Sequence, residues 1–295
     1  MDIETRIEMA TRARDCDDLP KVAQAGALTT AADGTRVQVM HNGIEVVEGG
    51  YYGDWMTRLI ARCHGHHEPQ EERAFATLLA RLPARATMLE LGGWWSFYTL
   101  WFLRNQPGRR AWVLEPDPAH RAVGAANARL NGAQFDIIEG FVGLSPAPPQ
   151  SFHTDQGETI QVPRRAVPEL LDSLGLAILD LLHCDAQGAE LDVLTSCEAL
   201  LRAGKIRTLV ISTHHWHISG DPLTHQRCLA RVLACGGRVL AEHDVHESYS
   251  GDGLIVARFG EDAADWPDIA LSRNRYSTSL FRNPLYDLAD SRGRH

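Results

Sequence analysis

From residue 86 onward, short apolar runs alternate with longer stretches whose apolar residues recur every three or four positions. TMLEL (87–91), RAWVLEP (110–116), AQFDIIEG (133–140), the end of LAILDLLHCD (176–185) and IRTLVIST (206–213) read as strands. SFYTLWFLRNQ, PAHRAVGAANARLNG, VPELLDSLG, ELDVLTSCEALLRAG and PLTHQRCLARVLACGG read as helices. Such alternation predicts a parallel sheet with helices on both faces. The last two strands, RVLAEHD and GLIVARF, are joined only by VHESYSGD. A parallel crossover needs a dozen or more residues, so these two predict an antiparallel hairpin at the sheet edge.

Before residue 76 the texture is different. Residues 1–20 read as an amphipathic helix ending at Pro20. TRVQVMHNGIEVVE (35–48) reads as a hairpin with Asn42-Gly43 at its turn. GGYYGDW is a glycine-aromatic loop, and PQEERAFATLLARLPA a helix with Pro69 and acids in its first turn. The expected organisation is an N-terminal extension or lid (1–75), an α/β core (76–260) and a tail (261–295). Trp266, Tyr276, Phe281 and Tyr286 of the tail are expected to pack on the core or on a second subunit, in keeping with a homodimer.

The net charge is −9, from 29 basic against 38 acidic side chains, which argues against a nucleic-acid partner. None of the six cysteines forms a C-x-x-C pair, so free thiols in a cytoplasmic protein are expected. The charged N-terminus has no apolar signal core, and no run approaches a membrane span.

The candidate chemistry begins at LELGGWWS. Glu90 and Gly92 follow the first core strand, and Glu115 closes the second, where an acid suits ribose hydroxyls. A dinucleotide would also need G-x-G-x-x-G so that backbone amides reach a pyrophosphate. Trp94, Trp95 and Ser96 stand there instead. A ligand with a ribose but no phosphate fits better, and S-adenosylmethionine is such a ligand. Trp94 or Trp95 can wall its site.

The chain here resembles the FkbM family of methyltransferases over about residues 68–258. MLELGGWWSFYTLWFL stands where that family has its acid-x-Gly loop, VLEPDP matches its second-strand motif, and LLHCDAQGAELDVL matches Asp-x-Glu-Gly-x-Glu at the fourth strand. Gln187 replaces the first glutamate of that motif, and His183 stands where a lysine is common. By the same resemblance, Ser96 stands in place of the loop's closing glycine, and Phe141, just after the third strand, falls where class I methyltransferases often contact adenine. The resemblance implies a Rossmann-like class I methyltransferase fold: a mostly parallel seven-stranded sheet with an antiparallel edge hairpin. It also implies S-adenosylmethionine as donor and O-methylation of a hydroxyl, often on a sugar or polyketide.

Methyl transfer to an alcohol requires the oxygen to be positioned and its proton removed by a base or a metal. Asp185 ends the fourth strand and Glu190 opens the next helix; His214, His215, His217 and Asp221 follow the fifth strand. Asp185 with His214 or His215 is expected to act either as a general base or as ligands of Mg2+ or another divalent ion. His243 is a weaker candidate. CHGHHEPQEE could gather a metal through His64, His66, His67, Glu68 and Glu71, but its spacing matches no pattern such as H-E-x-x-H. It is read instead as a lid, with Tyr51, Tyr52, Trp55 and His67 over a small-molecule or oligosaccharide acceptor, and with His217 and Glu190 near the acceptor. The alternatives are an NAD(P)-dependent oxidoreductase, disfavoured by the missing glycines and the lack of a Tyr-x-x-x-Lys pair, and a metal hydrolase.

Overall fold

The computed structural model describes residues 3–274. Three helices and a small antiparallel sheet precede the core: α1 (Ile3–Ala10), β1 (Leu28–Thr30), β2 (Arg36–Val39), β3 (Glu45–Val47), α2 (Asp54–Arg62) and α3 (Pro69–Leu79). The expected hairpin is present, with Val37 opposite Val47 and Val39 opposite Glu45, and β1 adds an unforeseen third strand. The expected helix over 1–20 stops at Ala10. Beyond it, Asp15 accepts from the Ser272 N–H and hydroxyl, and its carbonyl accepts from Arg73. Tertiary hydrogen bonds there replace a helical ladder, and aspartates are weak helix formers.

The core elements follow the predicted rhythm. They are β4 (Thr87–Leu91), α4 (Phe97–Leu103), β5 (Arg110–Glu115), α5 (Pro118–Leu130), β6 (Asp136–Glu139), β7 (Phe141–Val142), β8 (Ala147–His153), β9 (Thr159–Arg165) and α6 (Val167–Ser173). There follow β10 (Leu181–Cys184), α7 (Glu190–Ser196), α8 (Glu198–Arg202), β11 (Thr208–Thr213), α9 (Trp216–Ser219), α10 (Thr224–Ala234), β12 (Arg238–His243) and β13 (Gly253–Arg258). The seven-stranded sheet runs β12-β13-β11-β10-β4-β5-β6, with β13 antiparallel to both neighbours. Strand order reverses between β4 and β10, the switch point beyond whose carboxyl ends open α/β sheets bind ligands.

Strand alternation sorts the core into two layers. Leu89, Leu91, Leu182, Cys184, Leu209 and Ile211 face one helical layer; Met88, Leu181 and Val210 face the other, together with α1, α2, α3 and α4. By the same alternation Glu90, His183 and Ser212 share the second face, and His183 lies directly opposite Glu90 across β4–β10. His183 and Ser212 meet Glu71 of the N-terminal layer, and Glu90 meets Thr99 of α4.

Two segments depart from expectation. The proline-rich stretch after β6 is a small sheet, β7-β9-β8, whose register shifts between Ala147 and Gln150. Pro148 and Pro149 occupy that irregularity on an edge strand, where prolines are tolerated. The helix read through ELDVLTSCEALLRAG is two, broken at Cys197. Of the tail aromatics, Trp266 is buried under the Arg258 guanidinium, 4.5 Å from its centroid. Tyr276, Phe281 and Tyr286 lie outside the described residues.

Candidate active site

A cavity of about 500 Å³ opens beyond the ends of β4, β5 and β10. Its wall includes Glu90, Gly92, Trp94, Glu115, Phe141 and Asp185, six of the residues that the sequence singles out for a cofactor. Gly92 has φ +78°, and a Cβ there would lie 1.9 Å from the Asp185 carbonyl oxygen. The turn after β4 and the turn after β10 therefore touch backbone to backbone, and only glycine fits.

Glu90 is buried and accepts hydrogen bonds from the Thr99 N–H and hydroxyl. It thereby caps α4, where the N-cap Ser96 makes no side-chain bond. Burial pushes its carboxyl up to about 7, against the opposing pull of His183 and Thr99. Glu115 accepts from the Trp94 N–H and the Asp117 N–H, both at 2.9 Å. Trp94 stacks on His120 at 3.7 Å. Phe141 pairs with Phe152 of β8, centroids 5.9 Å apart, so the unforeseen small sheet walls the same cavity. Ser96 does not line it: it is fully buried, with its hydroxyl toward Gly124 of α5.

A second cavity of about 280 Å³ adjoins the first. Tyr51, His67, Glu68, Asp185 and Gln187 line both. Tyr52, Trp55, His214 and Asp252 complete much of the second. Tyr51 stacks on Trp95 at 4.5 Å with an interplanar angle of 1°, which fixes one wall. Gln187 donates to the Tyr52 hydroxyl at 3.2 Å across the junction.

The junction carries an acid–imidazole–acid relay. His214 Nε2 lies 3.1 Å from Asp185 Oδ1, and His214 Nδ1 lies 2.5 Å from Glu190 Oε1. Burial alone would lower the His214 pKa, but the Asp252, Asp185 and Glu190 carboxylates outweigh it and hold the imidazole well above its usual range. Burial would raise Asp185, yet the hydrogen bond and charge of His214 keep it below the ordinary carboxylate value. Glu68 is pushed well up by burial and by neighbouring carboxylates, and Asp252 up to about 6 for the same reasons. Glu190 is fully buried behind His214 and lines neither cavity.

His215 and His217 do not join this group. His215 caps α9, its Nδ1 accepting from the His217 N–H, and His217 is exposed; neither lines either cavity. Asp185, His214 and His215 are thus not a convergent donor set, since both ring nitrogens of His214 already face carboxylates.

Sequence reading offers Glu71 only as part of a possible metal cluster and misses its partners in the sheet; it misses Tyr98 altogether. Glu71 of α3 reaches the sheet, with its carboxylate 2.7 Å from His183 Nε2 and accepting from the Ser212 hydroxyl at 2.6 Å. Burial would lower His183, but Glu71, Glu90 and Asp185 raise it. The Tyr98 hydroxyl is buried without a hydrogen-bond partner on the wall of the larger cavity. An unsatisfied buried hydroxyl is costly, so this atom is available to a ligand.

A family model described as "Methyltransferase FkbM domain" matches residues 84–239. No curated protein matches the chain. Among solved structures, the precorrin-6y C5,15-methyltransferase of Geobacter metallireducens is 14% identical, with 63% of this chain and 87% of that one covered and a TM-score of 0.42. TrmK of M. capricolum, in complex with S-adenosyl-homocysteine, is 10% identical over 70% and 73%, with a TM-score of 0.42. The ribosomal protein L11 methylase of Lactobacillus delbrueckii subsp. bulgaricus is 12% identical over 66% and 81%, also at 0.42.

Proposed function

The chain belongs to the FkbM family of methyltransferases, and from that premise we propose that it methylates a hydroxyl of a sugar, an oligosaccharide or a glycosylated metabolite with S-adenosylmethionine as donor. The observation that carries this reading is the pair of adjoining cavities with Asp185 on their common wall. The larger fits a nucleoside with an amino-acid tail. Gly92 keeps the floor clear of a side chain, Glu90 offers a carboxyl to an ammonium, Glu115 an acid to ribose, and Phe141 a face to adenine.

Bound S-adenosylmethionine supplies an electrophilic methyl group on a sulfonium. The chain's residues do the rest. Tyr51, Tyr52 and Trp55 offer aromatic faces suited to the apolar faces of a sugar ring, while Glu68 and Asp252 offer acceptors to its hydroxyls. Asp185 would take the proton of the attacking hydroxyl as the C–O bond forms and the methyl–sulfur bond breaks, with S-adenosylhomocysteine as the leaving group. His214 donates to Asp185 and Glu190, fixing the carboxylate's orientation. With both its nitrogens engaged, His214 has no lone pair for an ion, which favours base catalysis over the metal-assisted alternative. The acceptor is a small molecule rather than a nucleic acid, in line with the net charge of −9.

The test is transfer of labelled methyl from S-adenosylmethionine to a panel of sugar glycosides. Asp185→Asn is expected to lower kcat about 10²- to 10⁴-fold while S-adenosylhomocysteine still binds. Full activity in that variant would remove Asp185 as the base. Label appearing on an amine or carbon acceptor instead would overturn O-methylation.

A further inference from the structure

We propose that His41, His66 and Glu72 form a zinc site outside the two active-site cavities. They come from three segments: the turn after β2, the loop before α3, and α3 itself. Their side chains are 3%, 2% and 0% exposed. One donor atom from each lies within 4.8 Å of the others, and they are the one such group of three or more among the described residues. Neither active-site cavity includes any of the three.

The spacings suit a small cation. Zinc bonds to imidazole nitrogen and carboxylate oxygen are about 2.0–2.2 Å, which puts donors roughly 3.3 Å apart in a tetrahedron. His41 Nδ1 lies 3.4 Å from Glu72 Oε2. His66 Nδ1 lies 2.6 Å from the same oxygen, a hydrogen bond that must open by several tenths of an ångström to admit an ion. The two imidazoles stack at 4.1 Å with an interplanar angle of 18°, which holds their donors toward the shared carboxylate.

One donor of the group is also left without a partner. Glu72 Oε1 already accepts from the His67 and Glu68 N–H groups, which leaves Oε2 as the oxygen that faces both imidazoles. His41 Nδ1 is buried, has no hydrogen-bond partner, and faces Glu72. An ion there would satisfy a buried nitrogen that otherwise has no partner.

Two imidazoles and one carboxylate select zinc over magnesium, which prefers an all-oxygen octahedron. His41 also lines a separate cavity of about 470 Å³ beside Trp101 and Arg104, which provides an entry path. Bound zinc would tie the hairpin to α3. It would also fix the loop carrying His67, whose ring lines both active-site cavities.

The experiment uses the full chain. Metal content is measured on the purified protein after incubation with zinc and removal of the excess. The chelated protein is then titrated with Co2+ and melted with Zn2+ or Mg2+. Expected are about one zinc per chain, a visible Co2+ spectrum displaced by zinc, and a Tm raised by zinc but not by magnesium. His41→Gln and His66→Gln are each expected to drop zinc below about a tenth of an equivalent, while exposed His64→Asn retains it. An unchanged Tm with no Co2+ spectrum in the wild type overturns the site without reference to any variant. So does full zinc content in either folded glutamine variant, which would place the ion elsewhere.

Discussion

Glu71 joins the N-terminal layer to the middle of the sheet through His183 and Ser212. Removing one partner of a buried charged pair leaves the other unpaired, so Glu71→Ala is expected to cost about 3–5 kcal/mol in urea unfolding. Glu71→Gln, which keeps a polar partner, should cost less; equal stability of wild type and alanine variant would deny the pair any role. Glu90 carries a pH signature. Its folded pKa of about 7 lies above the ordinary 4.5, so the stability it contributes is present below pH 4.5 and is lost as pH rises through 7. Wild type and Glu90→Gln should be nearly equal at pH 5, with the glutamine variant more stable by about 3 kcal/mol at pH 8. A constant difference across that range would contradict the buried, near-neutral carboxyl. Glu90, Gly92 and Glu115 were legible because each sits at the end of a strand that can be read locally. The partners of Glu71 were not, since they lie 112 and 141 positions away.

At the scale of elements, the β-α rhythm came through because the period of the apolar pattern switches at each boundary. The small sheet β7-β9-β8 did not, because Pro148, Pro149 and Pro163 masked strands that accommodate them at a register shift. The sequence presents the cluster after β11 as one group, yet α9 divides it. His214 ends in the junction, while His215 is spent capping the helix. Four histidine and aspartate candidates in a short run do not reveal which of them the first helical turn rotates away. The contact between the turns after β4 and β10 makes its own prediction. Gly92→Ala combines a left-handed φ with a backbone collision, so it should weaken S-adenosylhomocysteine binding at least about tenfold with the fold retained by circular dichroism. Unchanged affinity would mean that the ligand does not use this turn.

The family match begins at residue 84, whereas Tyr51, Tyr52, Trp55, His67 and Glu68 all precede it. The core thus lines most of the larger cavity and the N-terminal layer much of the smaller one; under the proposed function, acceptor choice would reside in the part of the chain that the family pattern does not describe. Tyr51→Ala, which removes the stack on Trp95, is therefore expected to raise the acceptor KM about tenfold or more, with a smaller change in kcat. Steady-state kinetics on the acceptor found by the methyl-transfer assay would check it, and a change confined to kcat would count against a binding role. Among the described residues no helix is long and apolar enough to cross a membrane. The most direct test of the account is calorimetric titration of the full chain with S-adenosylhomocysteine and, separately, with NADH. Binding of the first is expected near micromolar, weakened in Gly92→Ala, with no binding of the second. Binding of NADH alone, or of neither ligand, would contradict it.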